Sequence, residues 1–309
     1  MIATEQRYRG SLLGLAVGDA VGTTLEFNQP GSFTPITDMV GGGPFSLKAG
    51  QWTDDTSMML CLAYSLVECN GFNAQDQMER YVRWWRKGYC SSTGRCFDIG
   101  ITVREALAHF VATGDPMAGS VAEDKAGNGS LMRLAPAPLF FAENPVKAIE
   151  MAGESSRTTH ATPAAVDACR YMAGLIVGAL KGANKQALLS TRYTPVASHW
   201  DAMPLCPKID AIATGSFKAK QPPAIRGSGY VVASLEAALW AFHHTDNFRD
   251  GLLKAVNLGE DADTTGAIYG QLAGAFYGVE AIPTSWIGKL AMSQEIRTLA
   301  DELLVKAKA

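Results

Sequence analysis

The sequence predicts an all-α protein of about a dozen helices. Apolar residues recur at helical spacing through most of its 309 residues, and no alternating pattern typical of a strand stands out. Polar, glycine-rich turns precede several of the predicted helices. The N-termini of these helices could converge on one pocket, so we expect the functional site at these turns.

Composition and charge are those of an ordinary globular protein: 47% hydrophobic, 18% charged and a net charge of −3. This balance gives no electrostatic case for binding nucleic acid or an anionic membrane. The six cysteines form no CxxC pair, the N-terminus lacks a secretion-signal layout, and no stretch approaches the roughly 20 apolar residues of a membrane span. We expect a cytoplasmic protein without integral membrane association, built as one large domain or two intimate ones.

The first predicted helix carries a strip of small residues. Residues 8–17 have helical apolar spacing, and Gly10, Gly14, Gly18 and Gly22 recur at every fourth position. The strip resembles a membrane dimer face, but the apolar run is too short and charged residues flank it. We therefore expect another backbone to approach this strip closely inside a soluble helical core.

A first acidic turn follows the loop after Glu26. It reads Gln51-Trp52-Thr53-Asp54-Asp55-Thr56 and precedes a predicted helix that ends near Cys69. Two adjacent carboxylates with flanking hydroxyls are hard oxygen ligands of the kind that Mg²⁺, Mn²⁺ or Ca²⁺ prefers. The same residues also suit a helix start, with the threonine as N-cap and the aspartates complementing the helix dipole. Both interpretations stay open for the turn alone.

Two further helices are predicted over residues 75–87 and 101–112. The polar loop between them contains a single carboxylate near its end, Asp98. This residue could cap the second helix or belong to a site, and the local sequence does not separate the two roles.

A second glycine-rich turn, Gly127-Asn128-Gly129-Ser130, precedes a predicted helix over residues 131–135. Free N–H groups in such a turn can bind phosphate, although the turn is neither a P-loop nor a GxGxxG motif. His160 lies just before a long helix that ends near Leu180, where a lone histidine usually caps or packs. No histidine has partners at zinc-ligand spacing.

The C-terminal half begins irregularly and then becomes helical. Residues 194–223 contain five prolines and are expected to form a connector with short helices. Further helices are predicted over residues 231–242 and 248–258, from the second acidic turn through Phe276, and over residues 295–306.

The second acidic turn covers residues 260–265. Asp261 and Asp263 would point the same way in an extended turn, and Thr264 adds a hydroxyl. An EF-hand calcium loop does not fit, because its twelfth position would be Leu272 instead of glutamate. If both acidic turns faced one cavity, their four carboxylates would raise one another's pKa values, and two divalent cations would relieve the repulsion. Pairing of the turns therefore requires a cation site.

Taken together and in order, these motifs resemble those of the ADP-ribosylglycohydrolase family, which includes dinitrogenase-reductase-activating glycohydrolases and the ADP-ribosyl-arginine and ADP-ribosyl-serine hydrolases. The matching blocks span nearly the whole chain. They are Gly14-Leu15-Ala16-Val17-Gly18-Asp19-Ala20 with Glu26-Phe27, Gln51-Trp52-Thr53-Asp54-Asp55-Thr56, Phe97-Asp98-Ile99-Gly100, Gly127-Asn128-Gly129-Ser130-Leu131-Met132-Arg133, Thr159-His160, Gly227-Ser228-Gly229-Tyr230-Val231 and Asp261-Ala262-Asp263-Thr264.

The resemblance implies a single domain over residues 1–309, folded as the compact orthogonal multi-helix bundle of this family around a metal-containing cleft. It implies two divalent cations, Mg²⁺ or Mn²⁺, with six ligand residues: Thr53, Asp54, Asp55, Asp261, Asp263 and Thr264. The substrate-binding residues it implies are Gly127, Asn128, Gly129, Ser130, Met132, His160, Gly229 and Tyr230. Glu26 and Asp98 match carboxylates with proposed catalytic roles, whereas Glu260 stands where many members carry a small residue.

The implied function is hydrolysis of the glycosidic bond between ADP-ribose and an acceptor, with arginine on a modified protein as the first expectation. The partner is then an ADP-ribosylated protein or an ADP-ribosyl small molecule. Serine-linked ADP-ribose and free ADP-ribosyl metabolites are alternatives, since fold and metal site do not fix the leaving group. A non-catalytic ADP-ribose-binding regulator is another alternative. It predicts lost carboxylates in the acidic turns, and both turns keep theirs.

Overall fold

The computed structural model describes residues 2–308, and within them the chain folds into fifteen α-helices and four short 3₁₀ helices without a β-strand. The all-α prediction is confirmed. The α-helices are α1 (Thr4–Gly22), α2 (Asp54–Cys69), α3 (Ala74–Lys87), α4 (Ile101–Thr113), α5 (Pro136–Phe140), α6 (Pro145–Arg157), α7 (Pro163–Leu180), α8 (Lys185–Leu188), α9 (His199–Ala202), α10 (Pro207–Ala213), α11 (Val231–His243), α12 (Phe248–Val256), α13 (Ala262–Tyr277), α14 (Thr284–Lys289) and α15 (Ser293–Ala307). The 3₁₀ helices cover Thr23–Leu25, Glu123–Lys125, Ser216–Lys218 and Val279–Ala281.

The helix predicted over residues 131–135 is absent, which corrects that expectation. Residues 129–133 form tight turns, and α5 begins only at Pro136. A helix that continued from residue 131 through α5 would need N–H donors from both Pro136 and Pro138, and proline has none. Proline at the first position of α5 instead starts a helix where its missing N–H costs nothing.

The connector over residues 194–223 is irregular with short helices, as predicted, and includes α9 and α10. Four further helices were not predicted from the sequence: α5, α6, α8 and α14. The Asn144 side chain accepts a hydrogen bond from the backbone N–H of Lys147, so α6 carries a side-chain N-cap.

Helices α1 and α13 pack antiparallel against each other through their glycines. The facing pairs are Gly10 with Gly274, Gly14 with Gly270, and Gly18 with Gly266. A Cβ added at Gly14 would lie only 2.3 Å from the Gly270 carbonyl oxygen, so any side chain would force the two backbones apart. The close approach predicted from the first glycine strip is confirmed, and α13 is its partner.

The antiparallel packing brings the C-terminal end of α1 to the N-terminal end of α13. Asp19 near the end of α1 and Asp263 in the first turn of α13 therefore meet in the interior. The long apolar helix α7 packs across this core. By length and composition it could cross a membrane, but 89% of it is buried by the other helices, as in the core helix of a globular domain.

Candidate functional site

A cleft of about 830 Å³ opens where several turns and helix N-termini meet. The N-termini of α2, α4 and α13 point at it, and the turns around residues 26–29, 127–132 and 228–229 complete its walls. Helix N-termini carry unpaired N–H groups and a partial positive charge, so the cleft suits anionic ligands and carboxylates near its floor. The convergence of polar turns expected from the sequence is what the structure shows.

Asp19 holds the start of α2 from a different helix. Its Oδ1 accepts hydrogen bonds from the backbone N–H and the hydroxyl of Thr53, and its Oδ2 accepts from the N–H and the hydroxyl of Thr56, at 2.7–3.0 Å. Thr53 is the N-cap residue of α2, as one of the two interpretations expected, but its side chain makes no capping bond of its own. With the capping done by Asp19, the carboxylates of Asp54 and Asp55 are free to point elsewhere.

The two acidic turns share one buried centre. The Thr53 hydroxyl lies 3.0 Å from Oδ1 of Asp19, 3.1 Å from Oδ2 of Asp55 and 3.4 Å from Oδ2 of Asp263. The Thr264 hydroxyl lies 3.4 Å from the same Asp55 oxygen. Two hydroxyl protons cannot satisfy three carboxylates, and the second oxygen of Asp55 is buried without any hydrogen-bond partner among the described residues. A buried carboxylate oxygen without a donor is a suitable ligand for a divalent cation.

Carboxylate oxygens cluster in two groups whose atoms all lie within 4.8 Å of one another. One group is Asp19, Asp55 and Asp263, and the other is Glu26, Asp261 and Asp263. Asp263 belongs to both, so the groups are adjacent. The four hydrogen bonds to Asp19 occupy its oxygens, which leaves the other four carboxylates as the better donors to an ion.

Electrostatics disfavour this cluster when all its members are ionised. Burial, and then the charge of Asp263, raises the pKa of Asp19 and of Asp261 to about 7. Burial with the neighbouring carboxylates raises the pKa values of Asp54 and Asp55 well above their usual range. No lysine or arginine lines the cleft to offset these charges. Hard oxygen donors in a buried, uncompensated cluster fit a divalent cation.

Glu26 and Asp98 sit at different depths. Glu26 is buried, and its Oε2 accepts a hydrogen bond from the backbone N–H of Ala262 at 3.0 Å, which fixes it against the second acidic turn. Asp98 is a half-buried loop residue with φ of 60°, a left-handed conformation that non-glycine residues seldom adopt. Burial, and then the charges of Asp263 and Asp261, raises the pKa of Asp98 to about 9.

The glycine-rich turn is tied to the acidic centre. The Asn128 side-chain amide donates to Oδ2 of Asp261 at 2.6 Å, and its backbone N–H donates to the Gly229 carbonyl at 3.1 Å. The backbone N–H groups of Gly129 and Ser130 have no acceptor within residues 2–308. Of the two residues only Gly129 lines the cleft, so its N–H is available to an anion there.

His160 forms part of the cleft wall as a neutral donor. Burial, and then the nearby Arg133, lowers its pKa to about 3. Arg133 donates to the Thr159 hydroxyl at 2.7 Å, and that hydroxyl lies 2.9 Å from Nδ1 of His160. The hydroxyl accepts from Arg133 and keeps its own proton for Nδ1, an arrangement that corresponds to the tautomer with the imidazole proton on Nε2. That nitrogen lies 3.3 Å from where a Cβ on Gly127 would stand, at the cleft wall.

Arg133 was not singled out by the sequence analysis. It is fully buried and has no carboxylate partner within residues 2–308; its guanidinium lies 4.6 Å from the centre of the Tyr81 ring and donates to the Gly129 carbonyl at 2.9 Å. It therefore connects the glycine-rich turn to the segment before His160. Asp19 was also missed as a site residue. A signal existed for both, since each lies inside one of the motif blocks that carry the family resemblance.

Most of the predicted site residues converge on this cleft. Its lining includes Glu26, Asp54, Asp98, Gly127, Asn128, Gly129, Met132, His160, Gly229, Asp261 and Thr264. Thr53, Asp55 and Asp263 lie buried beneath it in the acidic centre. Two predicted substrate-binding residues do not line it: the Ser130 hydroxyl is turned into the core, 2.8 Å from that of Ser156, and Tyr230 is paired through its backbone with Gly127.

Comparison with known proteins identifies the family. The family described as ADP-ribosylglycohydrolase matches residues 1–309. The chain is 45% identical to a protein of Pseudomonas putida (strain GB-1) named ADP-ribosylarginine hydrolase Tri1, over 97% of this chain and 78% of that protein. It is 34% identical to the ADP-ribosyl-[dinitrogen reductase] glycohydrolase of Rhodospirillum rubrum, over 99% of this chain and 98% of that protein.

A solved structure shares the fold. It is described as an ADP-ribosylglycohydrolase-related protein complex, and it superposes with a TM-score of 0.86 at 42% sequence identity. The match covers 98% of this chain and 99% of that one.

Proposed function

Because the chain belongs to the ADP-ribosylglycohydrolase family, we propose that it hydrolyses the bond between ADP-ribose and the guanidinium of an arginine on a modified protein. The acceptor is inferred from a relative at 45% identity that is named an ADP-ribosylarginine hydrolase, and the protein substrate from one at 34% named for dinitrogen reductase. The observation that carries the proposal is the buried oxygen cluster with its orphaned Asp55 oxygen at the floor of the cleft.

We assign two divalent cations, Mg²⁺ or Mn²⁺, to the two adjacent carboxylate groups. The residues that would hold them are Asp55, Asp261 and Asp263 from these groups, together with Thr53, Thr264 and the cleft residue Asp54. Glu26 belongs to the second group and would lie beside its ion. Bound there, the ions would supply positive charge for ribose hydroxyl oxygens and for a water whose pKa they lower. Asp19 keeps the Thr53 turn in register beneath them.

The cleft holds the diphosphate of ADP-ribose without any basic side chain. The free N–H of Gly129, the first turn of α4 and the Nε2–H of His160 all face or border the space that the glycine-rich turn encloses. Oriented amides of this kind bind phosphate oxygens and carry no charge that would pair with the acidic centre.

Proton transfer at the glycosidic bond falls to Asp98. Both carboxylates line the cleft, but Glu26 is fixed against the second acidic turn and belongs to a carboxylate group, whereas Asp98 belongs to neither group and its carboxyl can reach a bound substrate. A carboxyl with a raised pKa is protonated near neutral pH, so Asp98 can deliver its proton to the leaving guanidine nitrogen and, as a carboxylate, then take a proton from the attacking water. Water oxygen then bonds to the anomeric carbon, the carbon–nitrogen bond breaks through an oxocarbenium-like state, and the products are ADP-ribose and arginine.

The test is release of ADP-ribose from three substrates: an ADP-ribosyl-arginine protein, an ADP-ribosyl-serine peptide and free ADP-ribosyl metabolites. We expect release from the arginine substrate with Mg²⁺ or Mn²⁺, loss of release with chelator and in Asp54→Asn/Asp55→Asn, and full activity in the exposed control Asp124→Asn. Release from the serine substrate or from metabolites alone would contradict the arginine acceptor. Binding of ADP-ribose without any release would identify a non-catalytic binder.

A further inference from the structure

A second cavity of about 570 Å³ lies beside the cleft and is not used by the chemistry proposed above. One side is the turn closed by the backbone pairing of Gly42 with Leu47, which carries Phe45. The other side is the loop before α4, which carries Arg95 and Phe97. The cavity is larger than one arginine side chain requires, so it has room for several residues of a bound polypeptide.

The second cavity adjoins the cleft through neighbouring aromatic residues. The rings of Phe27 and Phe45 lie 6.2 Å apart, and those of Phe45 and Phe97 lie 5.3 Å apart. Phe27 lines the cleft and Phe97 lines the second cavity, immediately before the cleft residue Asp98. An aromatic ridge therefore runs from one cavity into the other beside the carboxylate that handles the glycosidic bond.

The loop that carries Arg95 is fixed to the first acidic turn. The Ser92 hydroxyl donates to the Trp52 carbonyl at 2.6 Å, and the Gln51 amide donates to the Ser92 carbonyl at 3.2 Å. The Arg95 carbonyl in turn accepts from the Ser91 hydroxyl at 2.6 Å. The backbone of this wall is thus anchored next to the acidic centre, and its geometry relative to the reacting bond is preset.

Charge distinguishes the two cavities. Arg95 is the one lysine or arginine among the residues that line either of them, and its exposed guanidinium has no ion-pair or hydrogen-bond partner within residues 2–308. The cleft itself carries Glu26, Asp54, Asp98 and Asp261. A ligand that spans both cavities is complementary when its cationic part lies at the carboxylates and its anionic part at Arg95.

We infer that the second cavity binds the acceptor side of the substrate, namely the polypeptide segment next to the modified arginine, and that Arg95 selects segments with a carboxylate side chain beside that arginine. This inference rests on the proposed hydrolysis of ADP-ribosyl arginine. The guanidinium would leave along the aromatic ridge, since phenyl rings are favourable neighbours of a planar cation. ADP-ribose keeps to the first cavity, among the glycine-rich turns.

The experiment measures kcat/KM on three substrates: free ADP-ribosyl-arginine, an ADP-ribosylated peptide with glutamate beside the arginine, and the same peptide with lysine in that position. The variants are Arg95→Glu and the matched Arg104→Glu, which reverses an exposed charge on α4 and lines neither cavity. Arg95→Glu should lower kcat/KM for the glutamate peptide about fivefold or more, as expected for a partly exposed ion pair turned into a repulsion. It should raise kcat/KM for the lysine peptide and leave free ADP-ribosyl-arginine within about twofold.

Equal effects of Arg95→Glu on all three substrates would overturn the inference, and so would no effect on either peptide or an equal effect of Arg104→Glu. Wild-type activity on free ADP-ribosyl-arginine tests the proposed function separately. If wild type releases no ADP-ribose from it, the proposed function fails and this inference fails with it; if it does, a lost peptide preference counts against the acceptor subsite alone.

Discussion

At the scale of single residues, chemically identical side chains have different roles because they differ in burial and hydrogen bonding. Asp19 accepts four hydrogen bonds and holds the start of α2, whereas Asp55 keeps an oxygen that no donor reaches among the described residues. Asp98 instead lines the open cleft in a left-handed backbone conformation. Such strain is retained where a residue's position matters to function.

Asp98→Asn tests the role of that carboxyl. The amide has the same shape but cannot exchange a proton, so we expect kcat to fall about 100-fold or more. Because the change removes a negative charge from a repelling cluster, Tm should stay constant or rise. Cation binding, measured by calorimetry, should persist. Activity within tenfold of wild type would contradict this role for Asp98. Glu26 would then be the next candidate for proton transfer.

At the scale of helices, the sequence predicted nine of the long α-helices but not which of them pack against one another. The strip at Gly10, Gly14 and Gly18 indicated a close helix approach, and a matching strip at Gly266, Gly270 and Gly274 was the unused signal for its partner. The two strips are some 250 positions apart by their numbers, and spacing within one helix says nothing about such long-range pairing.

The residues that form the cleft could be predicted from the sequence, but the residues that hold them in place could not. The acidic turns and the glycine-rich turn have local signatures of hydroxyls, carboxylates and glycines ahead of helices. Arg133 and Asp19 act through contacts with other elements, at Thr159 and at the start of α2, and no local pattern reports those contacts. The helix expected after Ser130 failed for a local reason, since the two prolines of α5 were available to rule it out.

Gly270→Ala tests the packing of α1 on α13. A Cβ at this position would lie 2.0 Å from the Gly14 carbonyl oxygen, so the helices must separate. We expect a loss of about 2–3 kcal/mol in the free energy of unfolding, the usual cost of an overpacked core. The matched control is Gly288→Ala in α14, where a Cβ meets nothing within 4 Å and stability should change by less than about 0.5 kcal/mol. Equal stability of the two variants would refute the close packing.

At the scale of the whole molecule, a modest net charge of −3 conceals a strong local imbalance. The carboxylates from α1, α2 and α13 are gathered in one interior, while the lysines and arginines lie elsewhere and none lines the cleft. The fold stays compatible with this cluster only if protons or cations neutralise part of its charge. Binding of a cation at this cluster would therefore be thermodynamically coupled to folding.

The stability of the metal-free protein depends on pH in a defined direction. The folded-state pKa values of Asp19 and Asp261 are raised to about 7, above their unfolded values near 4. Their contribution to stability is fully present below the unfolded pKa and is lost as pH rises through the folded pKa. At about 1.4 kcal/mol per pKa unit, the metal-free protein should lose a few kcal/mol between pH 4 and pH 8.

The most direct measurement is therefore Tm against pH, from pH 5 to pH 8, in chelator and in Mg²⁺ or Mn²⁺. In chelator we expect Tm to fall by several degrees as pH rises, whereas saturating cation should abolish the fall and raise Tm most at pH 8. Asp55→Asn should weaken both responses. If Tm in chelator is independent of pH and no divalent cation raises it, the buried carboxylates are not a cation site, and this cleft does not hydrolyse its substrate with the help of bound metal.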